Sequence, residues 1–315
     1  MPEYDHLLKR LQKILVPIDT RARRSAALDR AVQLAEHSGA RLKLIEIVSE
    51  LPPQLCVPSY GYPALKDTLA NEKGQRLNAL VQKLSERGLK ADSEVFYGKP
   101  YLEIIREALR NGHDLVIKDA ENGGPSRLFG ATDMRLFRKC PSPVWIVRPA
   151  RVRRHRRVLA AVDPAAEPRH AEQLNLKILG MAASLSAFEE GELHVVHAWD
   201  AAPGESADGL PADVRRKIAR DTKRQARSML DSLLASANLK IARNRIHLLE
   251  GEPGAVIRDF ANTHAADILV MGTVVRTGIE GFFIGNTAER ILGQVRCSVL
   301  AVKPDGFVSP VRVPA

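Results

Sequence analysis

Between Met271 and Leu292 the chain carries glycines at 272, 278, 281 and 285, followed at once by Asn286 and Thr287. An apolar run, Asp267 to Met271, precedes them, and an apolar-periodic segment follows. A strand, a glycine-rich loop and a capped helix in that order can hold an anion. Glycine lets the backbone come close to a ligand, and the open N–H groups of the helix start face it. Gly272, Gly278, Gly285 and Asn286 would form such a cradle, with Arg276 and Thr287 in reach of phosphate oxygens. The same loop holds Ile279, Phe282, Phe283 and Ile284. These could pack the loop down or line an apolar pocket, so the alternative is a module for an acyl or lipid-like ligand, or a protein-partner platform.

Other residues invite chemistry less strongly. Asp19 and Asp163 each end an apolar run, but neither has a second carboxylate at a recognisable spacing. They read as ligand-binding or loop-capping groups. His194 and His197 flank Val195 and Val196 and are expected on one face of a strand. Two such imidazoles can ligate zinc, yet no third ligand is evident. Arg216, Arg220 and Arg224 repeat at helical spacing with Lys217, Lys223 and Arg227 nearby. A net charge of +10 would suit an anionic partner. With aromatic residues at only 5%, a base-stacking platform is disfavoured, so the stripe reads as a solvated face and nucleic acid is not the expected partner. No G-x-x-x-x-G-K-[ST] loop, nucleophile elbow or H-E-x-x-H helix is present, which disfavours an efficient enzyme.

The elements that must position these residues are written twice. Lys13 to Asp19 and Arg157 to Asp163 are short apolar strands ending in Asp. Periodic helices follow over Ala26 to His37 and Ala171 to Leu185, then strands over Arg41 to Val48 and Glu192 to Trp199. Long helical patterns run from Ala64 to Arg87 and Ala212 to Ala237. Third strands lead into matching turns, Gly98-Lys99-Pro100 and Gly251-Glu252-Pro253. Fourth strands start at Asp114 and Asp267, and fifth strands run to Arg148 and Lys303. Continuous apolar runs alternating with helices predict parallel, doubly wound α/β units. The domains are expected at 1–150 and 151–315. With 315 residues, each half can bury its own core. No apolar run is long enough to span a bilayer and the N-terminus lacks a signal-peptide pattern. Three scattered cysteines, Cys56, Cys140 and Cys297, fit a reducing cytoplasm better than a disulfide framework.

On these residues the chain resembles a tandem universal stress protein, and the wording from Gly272 to Ile291 resembles the E subgroup in particular. The family's nucleotide pattern is Gly, two residues, Gly, nine residues, then Gly-Ser or Gly-Thr. Gly272 takes the first place, Val275 replaces the second glycine, Gly285 takes the third, and Asn286 stands where Ser is expected. The resemblance implies a five-stranded sheet in the order 3-2-1-4-5 and pairing of the halves through their fifth strands as an intramolecular pseudo-dimer, with a homodimer possible beyond it. It implies a stress role, including survival of DNA-damaging conditions, and ATP or a related adenine nucleotide as ligand. Mg could accompany it, with at most slow ATP hydrolysis. Carried over by position, Asp163, Ala198, Gly272, Gly285 and Asn286 line the site. The first half has a worse version, in which Lys118 and Glu121 replace the first two glycines. Asp119 and Glu121 would repel phosphate and Asp133 would cap the next helix, so this half is expected to be structural.

Overall fold

A computed structural model describes residues 5–49, 62–121, 128–148, 156–166, 169–201, 211–276 and 282–314. The chain divides into two compact units, one of Leu8–Glu121, Gly130–Pro149 and Val308–Ala315, the other chiefly of Ala150–Phe307. The end of the chain thus returns to the N-terminal unit. There Ser309 Oγ donates to the Lys139 carbonyl at 2.7 Å and Arg106 Nε donates to the Arg312 carbonyl at 3.4 Å.

After a short helix α1 (Asp5–Lys9), the N-terminal unit runs β1 (Lys13–Pro17), α2 (Ala26–Ser38), β2 (Arg41–Val48), α3 (Tyr62–Glu86), β3 (Ala91–Tyr97), α4 (Pro100–Asn111), β4 (Leu115–Asp119), α5 (Ala131–Lys139) and β5 (Val144–Val147). Its strands lie in the order β3-β2-β1-β4-β5, with parallel pairing throughout. The C-terminal unit repeats this with β6 (Arg157–Ala161), α6 (Arg169–Phe188), β7 (Glu192–Trp199), α7 (Ala212–Ser236), β8 (Ile246–Glu250), α8 (Pro253–Thr263) and β9 (Ile268–Gly272). Two short strands intervene, β10 (Val274–Arg276) and β11 (Phe282–Ile284), before α9 (Asn286–Gln294) and β12 (Ser298–Val302). Its parallel order is β12-β9-β6-β7-β8, the same 3-2-1-4-5 winding.

The apolar runs form strands because both their faces are covered. β5 and β12 are buried at every position, β1 and β9 at all but one, and β4 over Leu115 to Ile117. Right-handed crossovers put α6 and α7 on one face of the C-terminal sheet and α8 and α9 on the other, matching the packing of α6 on α7 and of α8 on α9. The repeated Gly-x-Pro turns act alike in the two units. Gly98 and Gly251 adopt φ of 135° and 127°, and their N–H groups donate to the carbonyls that end β2 and β7, at Val48 and Trp199. Pro100 and Pro253 then open α4 and α8.

The stretch after Gly272 differs from a plain loop. Val274–Arg276 and Phe282–Ile284 form an antiparallel hairpin, with Val275 opposite Phe283. Strand-favouring Val, Phe and Ile residues pair here, overriding the expectation of a glycine-rich cradle along the whole stretch.

Candidate functional site

In the C-terminal unit the chain leaves β6 toward β7 and β8, then returns to place β9 on the other side of β6. Ligands of open α/β sheets bind at such a reversal, beyond the carboxyl ends of the strands. Ala161 pairs with Val196 of β7 and Met271 of β9. Asp163, Ala198 and Gly272 therefore lie within a residue or two of one another's level, at the ends of three neighbouring strands. Gly285 is the N-cap of α9, and Asn286 and Thr287 form its first turn. Gly278 lies outside the described residues, as do Ile279 and the side chains of Val275, Arg276 and Phe282 to Ile284. The residues that argued for an apolar ligand are among these.

Asp163 is exposed, and its carboxylate accepts from the Ala165 N–H at 3.2 Å. Its backbone is held from both sides by one side chain that the sequence did not single out. Asn175 of α6, buried, accepts from the Asp163 N–H at 3.0 Å and donates to its carbonyl at 2.8 Å. An Asn inside an apolar-periodic helix is the only sequence signal for this role. Asp19 caps its loop in the same local way, accepting from the Arg21 N–H at 2.9 Å. Gly272 lets α6 approach the sheet, since a Cβ there would stand 3.0 Å from Leu174 Cδ2. Beside it, the buried Lys303 ammonium donates to Thr273 Oγ1. Sequence reading passed over Lys303 as the end of the last apolar strand. The fold buries its charge where β9 leads into the hairpin.

The two histidines expected on one face do not share it. Three residues apart on β7, they point to opposite faces, because side chains alternate with a period of two. His197 Nδ1 faces the Val162 carbonyl at 3.3 Å, and burial lowers its pKa while Asp163 pulls it up. His194 Nδ1 instead lies 3.1 Å from His247 Nε2 on β8, and the two rings stack. Among the described residues no group of three or more His, Cys, Asp or Glu side chains is placed to hold a metal ion.

At the start of α5 in the N-terminal unit, carboxylates of the chain itself meet the N–H groups. Glu121 Oε2 accepts from the Thr132 N–H in the first turn of α5 at 3.0 Å, where a ligand anion would sit. Asp133, fully buried, accepts from the N–H groups of Glu121 (2.8 Å) and Gly130 (3.2 Å). Lys118 Nζ lies 2.9 Å from Asp133 Oδ1 and 3.6 Å from Glu121 Oε1. Burial pushes the Asp133 carboxyl above the usual carboxylate range, with the Lys118 ammonium pulling it back. Asp133 caps α5 as expected. Asp119 turns away from the loop to α2, accepting from Ser25 Oγ at 2.5 Å and the Ala27 N–H at 2.9 Å. α9 has no such plug among the described residues. Its N-cap Gly285 makes no side-chain capping bond, and Ala288 stands where α5 has Asp133.

The universal stress protein family model matches residues 10–148 and again 154–303. The chain belongs to the universal stress protein family. It is 30% identical over 308 residues to universal stress protein E of Escherichia coli K12, covering 96% of this chain and 97% of that one. A crystal structure of a functionally unknown Pseudomonas aeruginosa PAO1 protein superposes with a TM-score of 0.75 at 24% identity, covering 95% and 94% of the two chains. That of a universal stress protein from Archaeoglobus fulgidus gives 0.60 at 18% identity, covering 93% and 96%. These two likenesses concern the fold. As a tandem universal stress protein, the chain is assigned a role in the stress response. No helix among the described residues is long and apolar enough to cross a membrane.

Proposed function

We propose that the C-terminal half of this stress protein holds ATP or a related adenine nucleotide, and that the N-terminal half supports it without binding one. The observation that carries the reading is the contrast between the two helix starts. α5 is closed by Glu121 and Asp133, whereas among the described residues no carboxylate does the same for α9, which begins Gly285-Asn286-Thr287. The residues present suit a nucleotide. The first-turn N–H groups of α9 suit phosphate, and Lys303 adds positive potential at the strand ends. Asp163, Ala198 and Gly272 stand at the strand reversal, and Arg276 and Gly278 belong to the same proposed set. Mg would accompany the phosphates, with Asp163 as a carboxylate at the strand reversal to meet it. Pairing of the halves through their fifth strands, assembly into a homodimer and a cytoplasmic setting belong to the reading and rest on the family resemblance and the scattered cysteines.

Calorimetric titration of the intact protein with ATP, against Asn286→Asp, tests it. An acidic residue in the first turn suits the helix dipole, so α9 should keep its stability while the added charge repels phosphate. Affinity should fall about tenfold, a cost of about 1.4 kcal/mol. No heat with ATP, or equal affinity in the variant, removes the nucleotide. A lipid in the mass spectrum of native protein would favour the apolar ligand instead.

A further inference from the structure

Away from the candidate nucleotide site, the outer face of α7 beside Leu248 of β8, the outermost strand of its sheet, forms a shallow, open groove of about 860 Å³. One wall carries Arg220, Lys223, Arg224 and Arg227, with Ser228 and Ser232 beside them, and Leu248 contributes from β8. The lining holds a single carboxylate, Asp231, which already engages Arg227 at 3.0 Å. Arg224 is 81% exposed, its nearest partner being Asp221 at 3.5 Å.

The same place in the other unit is chemically different. Aligned on the matching turns that end the two helices, where the Leu89 and Leu239 N–H groups donate to the Leu84 and Leu234 carbonyls, Arg220, Arg224 and Arg227 stand where α3 has Ala70, Gly74 and Leu77. One architecture therefore carries no charge at these places in the first unit and guanidinium groups in the second.

We propose that this groove binds the phosphate backbone of single-stranded nucleic acid without reading its sequence. The cations recur at i, i+3, i+4 and i+7, spanning about 10 Å of helix, so they can meet successive phosphates of one strand. Guanidinium forks and serine hydroxyls are the groups that contact phosphate oxygens. A protein partner would instead call for apolar or aromatic anchors, and the groove offers only Leu248. Trp199 is buried beneath Lys223, whose ammonium lies 6.0 Å from the ring, so it is no stacking platform for bases.

Fluorescence anisotropy of the intact protein with a labelled, mixed-sequence single-stranded oligonucleotide tests the proposal. Four phosphate contacts should weaken binding roughly 50-fold between about 50 and 200 mM salt. Arg220→Glu with Arg224→Glu should lower low-salt affinity at least tenfold. Lys83→Glu with Lys90→Glu, an equal charge change on the other unit, should leave it near wild type. Equal thermal midpoints would show that both variants fold. Absence of binding at low salt, an equal loss in the two variants, or capture by anionic vesicles or polyglutamate but not by the oligonucleotide overturns the proposal.

Discussion

The helix start that follows the fourth strand is built twice and used in opposite ways. At α5, Glu121, Asp133 and Lys118 satisfy the N–H groups and one another, making a closed electrostatic unit. At α9 the same topology presents Gly285, Asn286, Thr287 and Ala288, with no carboxylate at the cap among the described residues. Val275 and Ala288 stand where the first unit has Glu121 and Asp133. The difference shows how a duplicated fold can close one helix start with its own carboxylates and build the other without carboxylates at those two places.

A second pair of positions differs in kind. On β2 and β3, Lys43 pairs with Glu94 at 3.0 Å and Asp92 at 2.8 Å. At the matching places on β7 and β8 stand His194 and His247. The first contact is between opposite charges, and the second is between two imidazoles whose pKa values burial lowers.

The sharpest way to break the first comparison is Asp133→Ala. It takes from the Lys118 ammonium its nearest carboxylate and leaves the Glu121 and Gly130 N–H groups without their acceptor, so urea unfolding should show a loss of about 3 kcal/mol. Gly130→Ala should come next. Its Cβ would stand 2.4 Å from Glu121 Cβ, forcing the plug out, and a cost of about 2 kcal/mol is expected in the same measurement.

The histidine pair gives a smaller, pH-dependent effect. Burial, with His194 and His264 nearby, lowers the His247 pKa to about 4. Burial also lowers that of His194, against the pull of Glu192, which Arg245 shares at 2.7 Å. Between about pH 6.5 and 4 the unfolded chain thus binds more protons than the folded one. Stability should fall as pH falls through that window, by about 1 kcal/mol for a half-exposed ring. His247→Phe should flatten this part of the profile of unfolding midpoint against pH, and a change at Lys43 should not. The smallest effect is expected from Gly272→Ala. The new Cβ meets Leu174 Cδ2 at 3.0 Å and Ile178 Cδ1 at 3.6 Å, both ends of flexible side chains, so the loss should stay below about 1 kcal/mol by thermal melting.

Much of the fold was legible because each half repeats strong local signals. The strands Arg41–Val48 and Glu192–Trp199 stand where the apolar runs placed them, and the Gly-x-Pro turns open the helices expected. The hairpin of β10 and β11 was hidden, because glycines in the segment outweighed its paired Val and Phe residues. His194 and His197 were misread for a simpler reason, since an interval of three on a strand separates the faces. Asn175 and Lys303 carried no local signal, as one polar residue in an apolar element looks like an exposed one until its neighbours are known.

By itself the sequence determined the duplication, the α/β alternation and the glycine-marked helix start at Gly285, since periodicity and backbone chemistry act over a few residues. Tertiary structure decided which groups meet. Glu121 reaches the Thr132 N–H, Asn175 clasps Asp163, and His194 finds His247, 53 residues away. The physical reason is that an apolar pattern specifies which face of an element is buried. The hydrogen bonds and charges that close or open a site depend on neighbours brought in from distant parts of the chain.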